Sequence, residues 1–214
     1  SLNDLKVHLN VSTDADFKLT VGWVLGAMKP KGPYPILILN GEHGTGKSTQ
    51  TRLLRSLFDP NGASIRPCPE KERDLFIAAK HSRVLCFDNI SFVKVQMLDA
   101  FCRVATGGGF STRELYSDDG EVLINVQRPM IFNGISDIAR RPDFADRSIV
   151  IELPMIGKPK RQTESEHGKG FEDDWPKILG ALLDAMSGAL ANENDVELDE
   201  TPRMADFALW ASAC

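Results

Sequence analysis

The 214-residue sequence contains only four cysteines, Cys68, Cys86, Cys102 and Cys214. None belongs to a C-x-x-C pair and no histidine lies at ligand spacing from them. This argues against a zinc site and, in a chain this long, against a disulfide framework. Reduced cysteines in a cytoplasmic protein are the expectation. Long hydrophobic runs are also missing. The longest apolar stretches, such as 36–39 and 148–153, are far too short to span a bilayer. Residues 1–10 show no secretory leader. Internal repeats and low-complexity tracts are absent as well. Positive charge is not in excess: the formal net charge is −5. That excludes a protein that coats nucleic acid over its whole surface, while leaving room for a local basic track. The first residue is not Met, and the last stretch, 207–214, is apolar with no closing turn signal. A piece of a longer polypeptide is therefore expected.

What is present is a globular balance. Apolar residues make up 42% and charged residues 26%, so a packed core rather than disorder is the default. The length suits one large domain, or a core with a small appendage. Asp14–Met28 reads as a helix capped by Thr13 or Asp14, with Phe17, Val21, Val24, Leu25 and Met28 on one face and Pro30 blocking continuation. The run 36–39 is wholly apolar and β-branched, the mark of a strand buried on both faces. A helix is expected over 47–58, a short strand over 64–66, and a helix to His81 with Pro69 in its first turn. Residues 84–87 form a second buried strand ending at Asp88. Ser91 caps a helix with Met97, Leu98, Phe101, Cys102 and Ala105 on its core face, and Gly107, Gly108 and Gly109 terminate it.

The segments 110–116 and 121–126 flank Ser-Asp-Asp-Gly and read as a β-hairpin. Strands over 130–132 and 148–153 follow. Strands alternating with helices specify an α/β fold with a mostly parallel sheet and right-handed crossovers. After Pro154 the composition shifts. A charged stretch, 158–174, leads into a helix over 176–191, and another helix starts at Thr201-Pro202. The expected organisation is an α/β core over 1–154 and a truncated helical lid over 155–214.

The strongest chemical signal is the run Gly41, Glu42, His43, Gly44, Thr45, Gly46, Lys47, Ser48. It matches G-x-x-x-x-G-K-[ST], with an apolar strand before it and a helix after it. Glycines let the backbone fold into a nest of inward N–H groups, and the helix N-terminus adds positive potential. Lys47 would reach the β- and γ-phosphates of ATP, and the Ser48 hydroxyl would ligate Mg2+, with Thr49 next in the loop's helix. The second signal is Asp88, a carboxylate closing an apolar strand one unit later, where a metal-linked aspartate is expected. The residue after it is Asn89, where many such ATPases carry the glutamate that orients the attacking water. Asn cannot take a proton at neutral pH, though it can position a water. Glu72 and Glu114 are the alternative bases, each otherwise a solvated surface charge. The third signal is Asn133, at the end of the 130–132 strand. If that strand neighbours the loop's strand, Asn133 can reach the γ-phosphate or the water; otherwise it is an ordinary turn residue before Gly134.

In this order, and followed by trailing helices, these signals resemble the AAA+ class of P-loop ATPases, and more narrowly the helicase-like ATPases of phages and mobile elements related to superfamily-three helicases. The resemblance covers 33–154, notably the run from Gly107 to Tyr116 and that from Arg128 to Gly134. The stretches 71–75 and 202–207 also look like that group. It implies a five-stranded parallel sheet with an inserted hairpin and a small helical lid. It implies that Arg147 is an arginine finger acting across a homo-oligomeric ring, with Arg140 and Arg141 as alternatives, and that Arg203 is the second sensor arginine. It further implies that the hairpin contacts DNA, with Arg113 for a phosphate and Tyr116 for stacking, although Asp118, Asp119 and Glu121 make a poor tip for an anionic ligand. A helicase-like motor in phage or mobile-element replication is the implied activity. A slow ATPase switch controlling a protein partner is the alternative, and a small-molecule kinase is disfavoured because it has no use for Asn133, Arg147 or the helical lid.

Overall fold

The structure is a computed structural model that describes residues 1–90, 93–113, 121–134, 141–157 and 163–214, with the backbone alone at 112–113 and 121–122. Five strands form one all-parallel sheet: β1 (Ile36–Asn40), β2 (Arg66–Pro67), β3 (Leu85–Ile90), β6 (Met130–Gly134) and β7 (Ser148–Glu152), in the order β2-β3-β6-β1-β7. The inserted hairpin is a separate antiparallel pair, β4 (Gly108–Arg113) with β5 (Glu121–Val126). The helices are α1 (Leu2–His8), α2 (Asp14–Met28), α3 (Lys47–Ser56), α4 (Glu72–His81), α5 (Val95–Thr106), α6 (Pro142–Ala145), α7 (Glu164–Asn192) and α8 (Ala205–Ala213).

Alternation along the strands sorts side chains into two cores, one on each face of the sheet. Leu37, Leu39, Val84, Cys86, Ile131 and Ile151 face a cluster built from α1, α2, α3 and α7. Ile36, Ile38, Leu85, Phe87, Met130 and Phe132 face the other, built from α4, α5, α6 and the hairpin residues Ile124 and Val126. Both faces of β1 are therefore buried, as an unbroken apolar run requires.

Several elements depart from the sequence expectation. Helix α2 has the expected bounds and the Thr13 cap, whose hydroxyl accepts from the Asp16 N–H at 3.0 Å. From Thr20 to Ala27 it is buried on all sides rather than along one stripe, with α8 and α7 packed against it as well as β7, while Lys18 and Leu19 in its first half stay exposed. Helix α4 begins at Glu72, leaving Pro69 outside its first turn. Strand β3 runs on to Ile90 rather than ending at Asp88, with a register irregularity between Phe87 and Ile90 and Asn89 at φ 55°. Strand β4 starts within the glycine triad, at Gly108. Helix α5 starts at Val95 with Lys94 at its N-cap rather than the expected Ser91, which itself lies outside the described residues, as do the hairpin residues 114–120.

The largest difference is α7, expected to start at Pro176. It starts at Glu164, behind a capping box in which Thr163 and Glu166 exchange hydrogen bonds, and runs through Pro176. The proline lies on the exposed side of the helix, where water can satisfy the carbonyl it leaves unpaired. Phe171, Ile178 and Leu182 of α7 share the cluster of Leu37 and Leu39, so α7 is part of that core. Helices α1 and α6 were not anticipated, and α8 begins two residues after Arg203 rather than at Thr201-Pro202. No helix among the described residues is long and apolar enough to cross a membrane.

Candidate functional site

Between β1 and α3 the chain turns through Gly41 (φ 147°), Gly44 (φ 84°) and Gly46 (φ 78°). At Gly41 a side chain is excluded twice over. The left-handed φ disfavours it, and a Cβ would sit 2.9 Å from the Leu153 carbonyl oxygen. At Gly46, the N-cap of α3, a Cβ would press on Ile156 at 3.1 Å. The first N–H groups of α3 thus open onto the loop, as they must at a helix N-terminus.

Four side chains converge beneath this loop. The Ser48 hydroxyl donates to Asp88 Oδ2 at 2.8 Å. Asn133 donates through Nδ2 to Asp88 Oδ1 at 3.1 Å, and the Asn89 backbone N–H donates to the same oxygen at 2.9 Å. The sheet makes this possible by pairing β6 directly with β1, which sets Asn133 opposite Leu39. Asn133 is fully buried. Its amide is oriented by Thr51, whose hydroxyl donates to Asn133 Oδ1 at 2.6 Å. Thr51 was missed in the sequence, although it lies three residues after Ser48 and so on the same helix face.

Lys47 folds back on the loop, donating through Nζ to the carbonyls of Gly41 at 2.6 Å and Glu42 at 2.8 Å. Partial burial pushes its pKa down, and the Asp88 charge opposes that shift. An ammonium so placed gains by meeting an anion. Lys47, Ser48, Asp88, Asn89 and Asn133 line a cavity of about 470 Å³ together with His43, Gly44, Thr45 and Thr49. The buried Thr45 hydroxyl braces the turn by donating to the Glu42 carbonyl at 2.9 Å.

The donor set fits magnesium with a polyphosphate. Hydroxyl and carboxylate oxygens are the hard ligands that ion takes, usually one or two from protein with the rest from phosphate and water. No group of three or more His, Cys, Asp or Glu side chains able to hold a metal occurs among the described residues. A cation here would therefore rest on Ser48, Asp88 and its own ligand.

The arginines lie elsewhere. Arg147 donates to the Asp143 carbonyl at 2.7 Å and also pairs with the Asp143 carboxylate. Arg203 reaches the same carboxylate at 3.3 Å. Arg141 pairs with Asp99 at 3.1 Å. None of the three lines the loop cavity; Arg140 lies outside the described residues. Among the alternative bases, Glu72 is ion-paired with Arg103 and Glu114 lies outside the described residues, as do Tyr116 and the Arg113 side chain. Among the described residues lining the cavity, Asp88 is the only carboxylate.

A family model described as the actinomycete integrative conjugative element replication protein matches residues 2–213 of the chain. No curated protein matches it in sequence. Its fold is similar to the A-form apo structure of the NrS-1 C-terminal region, with a TM-score of 0.58 at 15% identity over 85% of this chain and 44% of that one. A second A-form structure of the region gives 0.55 at 15% identity, over 81% and 42%. A further apo structure of the region gives 0.58 at 15% identity, over 82% and 44%. The chain thus spans less than half the length of these structures, and at this identity the likeness is one of fold.

Proposed function

The chain belongs to the replication protein family of actinomycete integrative conjugative elements, and from that premise we propose that it is a P-loop ATPase module of the AAA+ type, binding ATP with magnesium and hydrolysing it to drive a helicase-like motor on DNA. The observation that carries this reading is the convergence of Lys47, Ser48, Asp88 and Asn133 on one cavity beneath a left-handed glycine turn.

In this reading the α3 N-terminus and the loop amides hold the phosphates. Lys47 exchanges the Gly41 and Glu42 carbonyls for phosphate oxygens. Ser48 and Asp88 would hold magnesium, which would supply neutralisation of the phosphate charge. Asn133, locked by Thr51, presents its amide beside the γ-phosphate. A ring assembly would require Arg147 to leave the Asp143 carboxylate for a neighbouring subunit's nucleotide; Arg203, freed from the same carboxylate, would read its own. DNA contact falls to the hairpin with Arg113 and Tyr116.

The test is ATP turnover with and without single-stranded DNA, with Lys47→Ala as control. The motor reading expects turnover that DNA stimulates and that the control loses. Turnover unaffected by Lys47→Ala would refute the site. One observation favours a second reading. Asn89 occupies the left-handed bulge after Asp88, and the cavity holds no second carboxylate among the described residues. Slow hydrolysis that switches a protein partner would follow, seen as tight magnesium-dependent ATP binding with near-background turnover and no response to DNA.

A further inference from the structure

Asn10, in the segment after α1, holds the glycine turn from outside. It lines a cavity of about 360 Å³ that meets the loop cavity at Gly44, Gly46 and Thr49, and it is not among the residues lining the loop cavity itself. Its Nδ2 donates to the Thr45 carbonyl at 2.9 Å, across 35 residues, and to the Pro154 carbonyl at 2.7 Å. Only the NH2 end of an amide can serve two carbonyls, so these partners settle the orientation of the side chain. The Asn10 backbone N–H donates to Gln50 Oε1 at 2.9 Å, and Gln50 is 3% exposed. The Gln50 backbone N–H in turn donates to the Gly46 carbonyl at 2.9 Å. Asn10 is thereby tied to the chain leaving β7 and to the first turn of α3, with its amide fixed against the glycine turn.

This grip decides the direction of the Thr45–Gly46 peptide. The bond is trans and planar, so the Thr45 carbonyl and the Gly46 N–H point in opposite directions. With the carbonyl drawn outward to Asn10, the N–H is turned inward, toward the cavity that holds Lys47, Ser48 and Asp88. Local sterics do not impose this choice. Gly46 sits at φ 78°, and glycine takes either sign of φ with little cost. Half a turn of this peptide would swing the carbonyl oxygen into the loop cavity, where it would repel a phosphate. The Thr45 hydroxyl, which donates to the Glu42 carbonyl at 2.9 Å, braces the chain before the peptide but not its plane. Asn10 supplies what sterics leave open.

We propose that Asn10 is a positioning residue for the phosphate site: by holding the Thr45 carbonyl outward, it aims the Gly46 N–H at the bound polyphosphate. This rests on the phosphate-binding reading of the loop cavity. Asn10 touches no ligand. It acts through the peptide plane, so that a backbone donor is already aimed before an anion arrives and little ordering is needed on binding.

The experiment measures the affinity of the full chain for inorganic tripolyphosphate with magnesium and follows the Gly46 amide proton by NMR in the isotope-labelled chain. The wild type is compared with Asn10→Leu and Asp174→Asn. Leucine keeps the branched shape and removes the donor. Asp174→Asn loosens α1 from α7 at His8 and leaves the Asn10 amide in place, so it reports the effect of undocking α1 alone. In the wild type, binding should move the Gly46 amide proton downfield, as a hydrogen bond to an anion does. In Asn10→Leu the affinity should fall on the order of tenfold, the effect of one charge-assisted hydrogen bond, and the downfield shift should be lost. Asp174→Asn should keep both. If Asn10→Leu retains either the affinity or the shift, or if Asp174→Asn loses as much as Asn10→Leu, Asn10 does not aim the donor, although the phosphate site stands. If tripolyphosphate does not bind the wild type, the phosphate reading fails and takes this one with it.

Discussion

Arg55 shows how a single side chain can organise a connection. It is 1% exposed, yet its guanidinium is fully engaged. It donates to the Asp59 carbonyl and carboxylate at 3.3 and 3.0 Å, to the Ala63 carbonyl at 3.1 Å and to the Ser64 carbonyl at 2.9 Å. Asp59 also accepts the Val84 N–H at 3.1 Å, so the pair clamps the loop after α3 against the start of β3. Removing one partner of a buried pair strands the other. Arg55→Ala is therefore expected to destabilise the fold by about 3–5 kcal/mol in denaturant unfolding. A loss under 1 kcal/mol would show that water reaches the clamp. Thr51 and Gln50, on the neighbouring turn of the same helix, are polar and buried too, but Thr51 orients Asn133 and Gln50 accepts the Asn10 backbone N–H.

At the scale of elements, helix–helix contacts decide the sign of otherwise identical substitutions. Gly26 of α2 faces α8, where a Cβ would meet the Phe207 ring at 2.6 Å, whereas a Cβ at Gly180 of α7 meets nothing within 4 Å. Alanine raises helix propensity by about 1 kcal/mol at both positions. At Gly26 an overpacking cost of about 1–3 kcal/mol opposes it. Gly180→Ala should raise the melting temperature and Gly26→Ala should lower it; a rise in both would mean that Phe207 swings aside freely. Helix α1 docks on α7 partly through His8 Nε2, 3.2 Å from Asp174 Oδ2. Hydrogen bonds from His8 and then Lys177 hold the Asp174 carboxyl below its ordinary value of 3.8. A carboxyl lowered on folding stabilises fully above its unfolded pKa, and the contribution is lost as pH falls through the folded one. Asp14, Asp143 and Glu166 are lowered too, with the same sign. Asp174→Asn should thus lower the melting temperature at pH 7 and flatten its decline below about pH 4. An unchanged acid profile would assign that decline to the other carboxyls.

For the whole molecule, Cys86 offers a probe of global opening. It sits in β3, fully buried in the core that joins α2, α3 and α7 to the sheet. Burial pushes its thiol up to about 12. A thiol reacts as the thiolate, so the native chain should leave Cys86 unlabelled at neutral pH while the exposed Cys214 reacts slowly, its own pKa raised to about 11. Cys86 labelling should then track the unfolding free energy measured with denaturant. Labelling much faster than that would reveal a sub-global opening of the sheet. Because α7 contributes Phe171, Ile178 and Leu182 to the same core, truncation before α7 should abolish this protection.

What could be read from the sequence is what short windows encode. The glycine turn, the lysine and serine that follow it, and the apolar strand before it lie within 13 residues, 36–48, where backbone sterics and hydrophobic periodicity act locally. The α/β alternation, the bounds of α2 and the placement of Asp88 and Asn133 at one end of the sheet were legible for the same reason. The start of α7 was written in Thr163 and Glu166, but Pro176 offered a louder and misleading signal. Other features needed the tertiary structure because their partners are remote. Asn10 meets Gln50 across 40 residues, and Asn133 meets Thr51 across 82. Arg147 and Arg203, to which the family resemblance gave separate roles, share the carboxylate of Asp143. Such pairings depend on strand order, helix docking and the summed burial of two cores, and no local window contains those quantities.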